Sequence, residues 1–279
     1  MPPFLTGPLT TESLTLTIQD LPADLAGTTV VQLSDFHYDG LRLSDWMLDE
    51  VAQRIDQIVP DLILLTGDFI TGDAAPIYPL ARWLAALPSR AGSYAVMGNH
   101  ELYRPGSRVT VTHALERVGI PVLWNRVMYP LGEGLALVGL ADFWSRAFDP
   151  APVFAQINPA IPRLVMSHNP DSAAKLTDWR VDLQLSGHTH GGQVYLPGLG
   201  AAPLLWDRFR KYIPADWRRG IPYLSDECMN VIRHWEWAMG LHTVAQNRLY
   251  VNRGLGTYLP GRLFCPPELT VIRLEKDEG

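Results

Sequence analysis

Residues 182–192 read DLQLSGHTHGG, a short apolar run that breaks into two histidines set among glycines. Four earlier stretches follow the same plan: TVVQLSDFH at 29–37, DLILLTGDF at 61–69, SYAVMGNHE at 93–101 and RLVMSHNPD at 163–171. Each begins with residues suited to a buried strand and turns polar at its C-terminal end. Helical patterns lie between the early runs. Ser44 and Asp45 precede Trp46, Leu48, Val51, Ile55 and Ile58 at helical spacing, with Ser44 as the N-cap. Residues 77–87 and 108–118 read similarly. Strands alternating with helices give an α/β layered fold, and ligands of such sheets bind at the C-terminal strand edge. Further strands are expected at 14–18 (an edge strand), 134–140, 248–253 and 268–274.

The five polar clusters therefore converge on one mouth. They contribute Asp35, His37, Asp68, Asn99, His100, His168, His188 and His190. Carboxylate, imidazole and amide groups without a thiolate suit Mn, Fe or Zn ions better than a soft metal. Each cluster alone has a plainer reading. Asp35 and His37 could cap and pack, Asp68 and Asn99-His100-Glu101 could be turns, and His168 could be structural. The doubled histidine in Gly187–Gly192 is harder to read that way. Five clusters in order, each behind a strand, point to a site.

The series SDFH, TGDF, GNHE, SHNP and SGHTHGG resembles the signature of the calcineurin-like metallophosphoesterase family, over roughly residues 28–195. RGLGT (253–257) and CPPELTVIRL (265–274) are similar to the C-terminal end of one bacterial branch. That branch includes small phosphodiesterases and a UDP-2,3-diacylglucosamine pyrophosphatase. The resemblance implies a four-layer α/β/β/α sandwich holding two divalent or trivalent metal ions (Mn, Fe or Zn). Position by position, it implies that Asp35, His37 and His190 bind one ion and Asn99, His168 and His188 the other, with Asp68 bridging. His100 would face the scissile phosphate as a catalytic residue and not as a ligand. A bridging carboxylate holds two cations about 3.5–4 Å apart, a spacing that activates a shared hydroxide for attack on phosphorus. A protonated His100 could then serve the leaving oxygen or stabilise transition-state charge. Glu101 or Asp73 could orient that ring, or Glu101 could cap a helix. Gly191-Gly192 would let the backbone approach the metals closely.

Composition bounds the rest. The chain has 279 residues, 47% hydrophobic and 19% charged, enough apolar material for one large core. It reads as a single domain, 1–279. The formal net charge of −6 argues against general binding to nucleic acid but allows a small phosphoester. A phosphodiesterase is the leading expectation, with a lipid pyrophosphatase and a nuclease on single strands as alternatives. Two cysteines, Cys228 and Cys265, lie outside the clusters and are expected reduced. MPPFLTGPLT at the start carries neither a basic n-region nor a long apolar run, so a cytoplasmic protein is expected, with peripheral membrane contact as an option.

Residues 197–247 break the rhythm, with Trp206, Trp217, Trp235, Trp237 and four prolines. They read as a Trp-rich insertion or lid. Residues 219–247 exceed the length expected for small family members, and Met229, Val231, Ile232, Trp235 and Met239 predict one amphipathic helix. Arg208, Arg210, Lys211, Arg218 and Arg219 form a basic run. With the tryptophans, 206–239 could rest on an anionic membrane near a lipid-linked substrate.

Overall fold

A computed structural model describes residues 3–210, 212–213 and 232–277, without the side chains of residues 3, 4, 206–208 and 210. The strands are β1 (Thr10–Ile18), β2 (Thr29–Leu33), β3 (Leu62–Leu65), β4 (Ser93–Ala95), β5 (Arg126–Met128), β6 (Ala136–Gly139), β7 (Arg163–Met166), β8 (Leu183–Ser186), β9 (Tyr195–Leu196), β10 (Gly200–Ala201), β11 (Gly240–Val244), β12 (Asn247–Val251) and β13 (Glu268–Lys276). The helices are α1 (Pro3–Thr6), α2 (Asp45–Ile58), α3 (Ile77–Ala85), α4 (Ser107–Arg117), α5 (Ala151–Phe154) and α6 (Ala202–Arg210).

Two mixed sheets carry the fold. The first runs β1-β13-β2-β3-β4 and the second β11-β12-β8-β7-β6-β5, with β9 and β10 forming a separate hairpin. In the first sheet only β13 and β2 pair antiparallel. In the second, β12, β8, β7 and β6 are parallel and the outer pairs antiparallel. The edge strand expected at 14–18 is longer, because its whole length from Thr10 pairs in register with β13.

Leu16, Ile18, Val30, Leu62, Leu64, Leu164, Met166, Leu183 and Leu185 fill the space between the sheets. The outer face of the first sheet packs on α2, α3 and α4 through Val31, Leu33, Val51, Ile55, Leu80 and Val111. Ser44 caps α2 as its sequence predicts, its hydroxyl accepting from Met47 N. Each buried aliphatic side chain here is worth about 1.5–3 kcal/mol of burial. The layer outside the second sheet is thinner. There α5 and the 167–181 segment bury Val138, Phe154, Val165 and Leu176, and Phe154 stacks on Trp179 at 5.2 Å. The four-layer α/β/β/α order follows.

Among the described residues, 232–239 do not form the predicted helix through Ile232, Trp235 and Met239; they hold a 3-10 turn at Trp235–Trp237 before β11. Asp171 explains the difference: its carboxylate accepts Arg233 N at 2.7 Å and His234 N at 3.1 Å, which commits the N–H groups of a bend before the 3-10 turn. Residues 240–247, counted above within the insertion, belong to the second sheet as β11 and its turn. Met229, Val231, Trp217, Lys211, Arg218, Arg219 and Cys228 lie outside the described residues, as do the side chains of Trp206, Arg208 and Arg210. Cys265 is buried with a free thiol. No described helix is long and apolar enough to cross a membrane.

Candidate metal centre

The eight residues singled out in the sequence follow β2, β3, β4, β7 and β8, all at their C-terminal ends. The strands are buried and parallel, so their ends share one edge across both sheets. Five of the eight bend away from the strand with left-handed backbone: Asp35 (φ 52°), His37 (43°), Asp68 (55°), His188 (73°) and His190 (51°). Such conformations cost of order 1–3 kcal/mol each and persist only where the surroundings enforce them. Here they turn side chains inward that a regular strand would alternate.

The donor atoms form three overlapping groups, each within 4.8 Å: Asp35–His37–His190, His37–Asp68–His100 and Asp68–His168–His188. His37 Nε2 and His190 Nε2 lie 3.0 Å apart, and His188 Nδ1 and His168 Nε2 3.2 Å apart. Asp68 Oδ2 is 3.1 Å from His168 Nε2 and 3.6 Å from His37 Nε2, so one carboxylate joins the two ends. Asp35 Oδ1 lies 3.4 Å from His190 Nε2. Asn99 donates its amide N–H to the Tyr103 hydroxyl at 2.5 Å. Its Oδ1 is buried with no hydrogen-bond partner among the described residues. Paired imidazole nitrogens, two acidic groups and an orphaned amide oxygen form a donor set that fits hard or borderline cations.

The imidazoles are fixed from behind. His168 Nδ1 donates to Thr66 O at 2.7 Å and His190 Nδ1 to Gly256 O at 3.2 Å, while His37 Nδ1 meets the Tyr258 hydroxyl at 3.0 Å. Such partners set the tautomer and aim Nε2 into the centre. His100 Nδ1 donates to Thr71 O at 2.5 Å, and the ring packs on Tyr103 at 4.5 Å. Its Nε2 faces Asp68 Oδ2 at 4.0 Å.

Two supporting acids act differently from the sequence reading. Glu101 neither orients His100 nor caps a helix. Its buried carboxylate accepts from Gly98 N (2.8 Å), Phe69 N (2.9 Å), Asp68 N (3.0 Å) and Ile70 N (3.2 Å), clamping the Asp68 loop to the Asn99 loop. Asp73 serves a local turn, accepting from Ala75 N. Gly191 and Gly192 approach Cys265 and Pro203, where a Cβ would clash, and not the centre. The close approaches that matter are at Gly98 and Gly187, which pack against the carboxylates of Asp68 and Asp35. Asp142 was missed. It follows β6 at the same edge, is buried, and leaves Oδ2 without a partner among the described residues. In the sequence only its place after the predicted 134–140 strand could have marked it.

Electrostatics tie the groups together. Burial would raise the Asp35 and Asp68 carboxyls, but the histidines around them overcome it. Both lie well below the usual carboxylate range, Asp35 through His190 and His37 and Asp68 through His168 and His100. Burial lowers His168, yet Asp68 outweighs it and holds the imidazole up at about 10. Burial dominates at His190, pushed down to about 3, and also lowers His100. Burial and then the Asp68 charge raise Glu101 to about 7, and burial lifts Asp142 to about 6.

Comparison with known proteins agrees with this geometry. The pattern of the calcineurin-like phosphoesterase family matches residues 28–192. The chain is 28% identical over 299 residues to UDP-2,3-diacylglucosamine pyrophosphatase LpxG of Chlamydia muridarum, covering 90% of this chain and 84% of that protein. It is 32% identical over 251 residues to Phosphodiesterase YaeI of Escherichia coli, covering 88% and 81%. It is 30% identical over 266 residues to the metallophosphoesterase YkuE of Bacillus subtilis, covering 91% and 82%.

Proposed function

The chain belongs to the calcineurin-like phosphoesterase family and is a phosphoric ester hydrolase; from that premise we propose that it is a dinuclear metal-dependent phosphodiesterase. The observation that carries the reading is Asp68, whose carboxylate lies against histidines of both donor groups. Asp35, His37 and His190 would hold one ion, and Asn99, His168 and His188 the second, with Asp68 as the shared carboxylate. Ions held there would supply a water of lowered pKa and neutralise charge on the phosphoryl oxygens.

The chain's own residues do the rest. Thr66, Gly256 and Tyr258 hold the imidazoles of His168, His190 and His37 at fixed angles, so binding needs little reorganisation. Glu101 keeps the Asp68 and Asn99 loops in register. His100 is the catalytic residue: with Nδ1 committed to Thr71 O, its Nε2 is the atom left to face the leaving oxygen, and the protonated ring would donate from it.

A second reading, hydrolysis of a lipid-linked pyrophosphate, is supported by exposed apolar side chains beside Tyr258. Leu259, Leu263 and Phe264 are 65%, 49% and 64% exposed on the loop that follows it. The name and coverage of the LpxG relative point the same way. Peripheral membrane contact is then expected along 206–239, where among the described residues Phe209 and Tyr212 are exposed.

The test is hydrolysis of bis(p-nitrophenyl) phosphate by the protein loaded with Mn, Fe or Zn. Turnover abolished by chelator and restored by metal supports the reading. Hydrolysis of p-nitrophenyl phosphate alone, with the diester untouched, contradicts it. Stimulation of UDP-diacylglucosamine hydrolysis by liposomes would favour the lipid substrate.

A further inference from the structure

Two arginine–aromatic pairs lie on segments fastened to the loops of the centre. Arg42 lies 4.4 Å over the Tyr258 ring, whose hydroxyl meets His37. Arg42 is already ion-paired with Asp39. Arg233 lies 5.3 Å over the Trp144 ring, and among the described residues no carboxylate pairs with its guanidinium. Arg233 is exposed and Trp144 is 44% exposed.

The second pair is built in place. Asp171, three residues after His168, is buried and takes Arg233 N and His234 N. Ile232 is buried beside them. At the other end of the strap formed by residues 232–238, the Thr189 hydroxyl, between His188 and His190, donates to Ala238 O at 2.6 Å. The strap is therefore fastened to both loops that carry His168 and His188. Trp144 is held at its backbone, whose N–H donates to Asp142 Oδ1 at 3.0 Å, and its ring meets Phe143 at 5.0 Å. β6 pairs parallel with β7 and Leu140 N donates to Met166 O, so Asp142 and His168 leave neighbouring strands at the same edge, which sets this corner at the His168 end of the centre.

We propose that Arg233, seated on Trp144, is a recognition subsite for a second phosphoryl group, so that the substrate class is the diester of pyrophosphate rather than of a single phosphate. This rests on the phosphodiesterase reading above. A simple phosphodiester carries one negative charge, which the centre itself neutralises. A pyrophosphate diester carries another, next to the scissile bond, and it needs a cation outside the centre. A guanidinium packed on an aromatic face keeps its N–H edges open and offers a planar fork that matches phosphate. On a chain of net charge −6, a guanidinium with no carboxylate partner among the described residues also counters general repulsion of anions at this edge.

The experiment titrates UMP and UDP-glucose calorimetrically onto the full, Mn-loaded chain carrying His100→Ala, which stops turnover during the measurement. The two probes share uridine and net charge but differ in their phosphoryl groups. Adding Arg233→Ala should raise the UDP-glucose-to-UMP ratio of dissociation constants about tenfold. Arg233→Lys keeps the charge without the fork and should raise it about threefold. Arg90→Ala, which removes an exposed charge at the opposite strand edge, should leave the ratio unaltered. An unchanged ratio in Arg233→Ala, equal weakening of both probes, or no UDP-glucose binding to the parent would overturn the subsite. Failure of the wild type to hydrolyse bis(p-nitrophenyl) phosphate would instead remove the phosphodiesterase reading, while the titration still reads the subsite.

Discussion

Gly98→Ala perturbs the centre through a single methyl group. The Cβ would lie 2.7 Å from Asp68 N and 2.8 Å from the Asp68 carboxylate carbon, and closer still to Oδ1. Ordinary contacts for such a carbon begin near 3.4 Å, so the Asp68 loop must retreat by roughly an ångström. Glu101 opposes that retreat by clamping the N–H groups of Asp68, Phe69 and Ile70. The strain of overpacking costs about 1–3 kcal/mol. Misplacing a shared ligand by such a distance costs about 10²-fold in turnover. Differential scanning calorimetry should therefore show a modest loss of melting temperature, a few degrees per kcal/mol for a chain of this size. Hydrolysis of bis(p-nitrophenyl) phosphate should fall far more steeply than stability. Wild-type turnover and metal content in Gly98→Ala would refute the claim that Asp68 is held by this close approach.

Further expectations concern the same centre. His100→Ala should retain both metals and lose about 10²–10⁴-fold in turnover, and near-wild-type hydrolysis would remove His100 from the chemistry. The metal-free protein should lose stability as pH rises. His168 is held up at about 10 in the folded state against its ordinary 6.5, so its contribution is complete below pH 6.5 and lost as pH passes through 10. Urea midpoints that stay flat from pH 6.5 to 9.5 would contradict the buried His168–Asp68 pair. Metal binding at pH 8 must then displace the His168 proton, and addition of Mn²⁺ to weakly buffered protein should release acid. Tyr258→Phe removes the hydroxyl behind His37 and should weaken metal affinity about 10–100-fold, read by competition with a chelator.

The strands and the eight clustered residues were legible because β2, β3, β4, β7 and β8 are buried on both faces and written as apolar runs. The cap of α2 was equally plain, since Ser44 stands directly before an amphipathic spacing. What local pattern could not carry was long-range polar anchoring. The apolar spacing of Ile232, Trp235 and Met239 suits a helix, but Asp171, sixty-odd residues earlier, takes the N–H groups that such a helix would use. Glu101 misled in the same way, because its acceptors' partners sit on the Asp68 loop about thirty residues away. Asp142 belongs to no motif, and only the folded edge brings it beside His168.

The central claim is that one carboxylate, Asp68, is shared by two metal ions. Elemental analysis of the wild type and of Asp68→Asn, purified in parallel with excess metal and then desalted, tests it directly. Two ions per chain are expected in the wild type and at most one in the variant. Two ions per chain in Asp68→Asn, or none retained by the wild type, would contradict it.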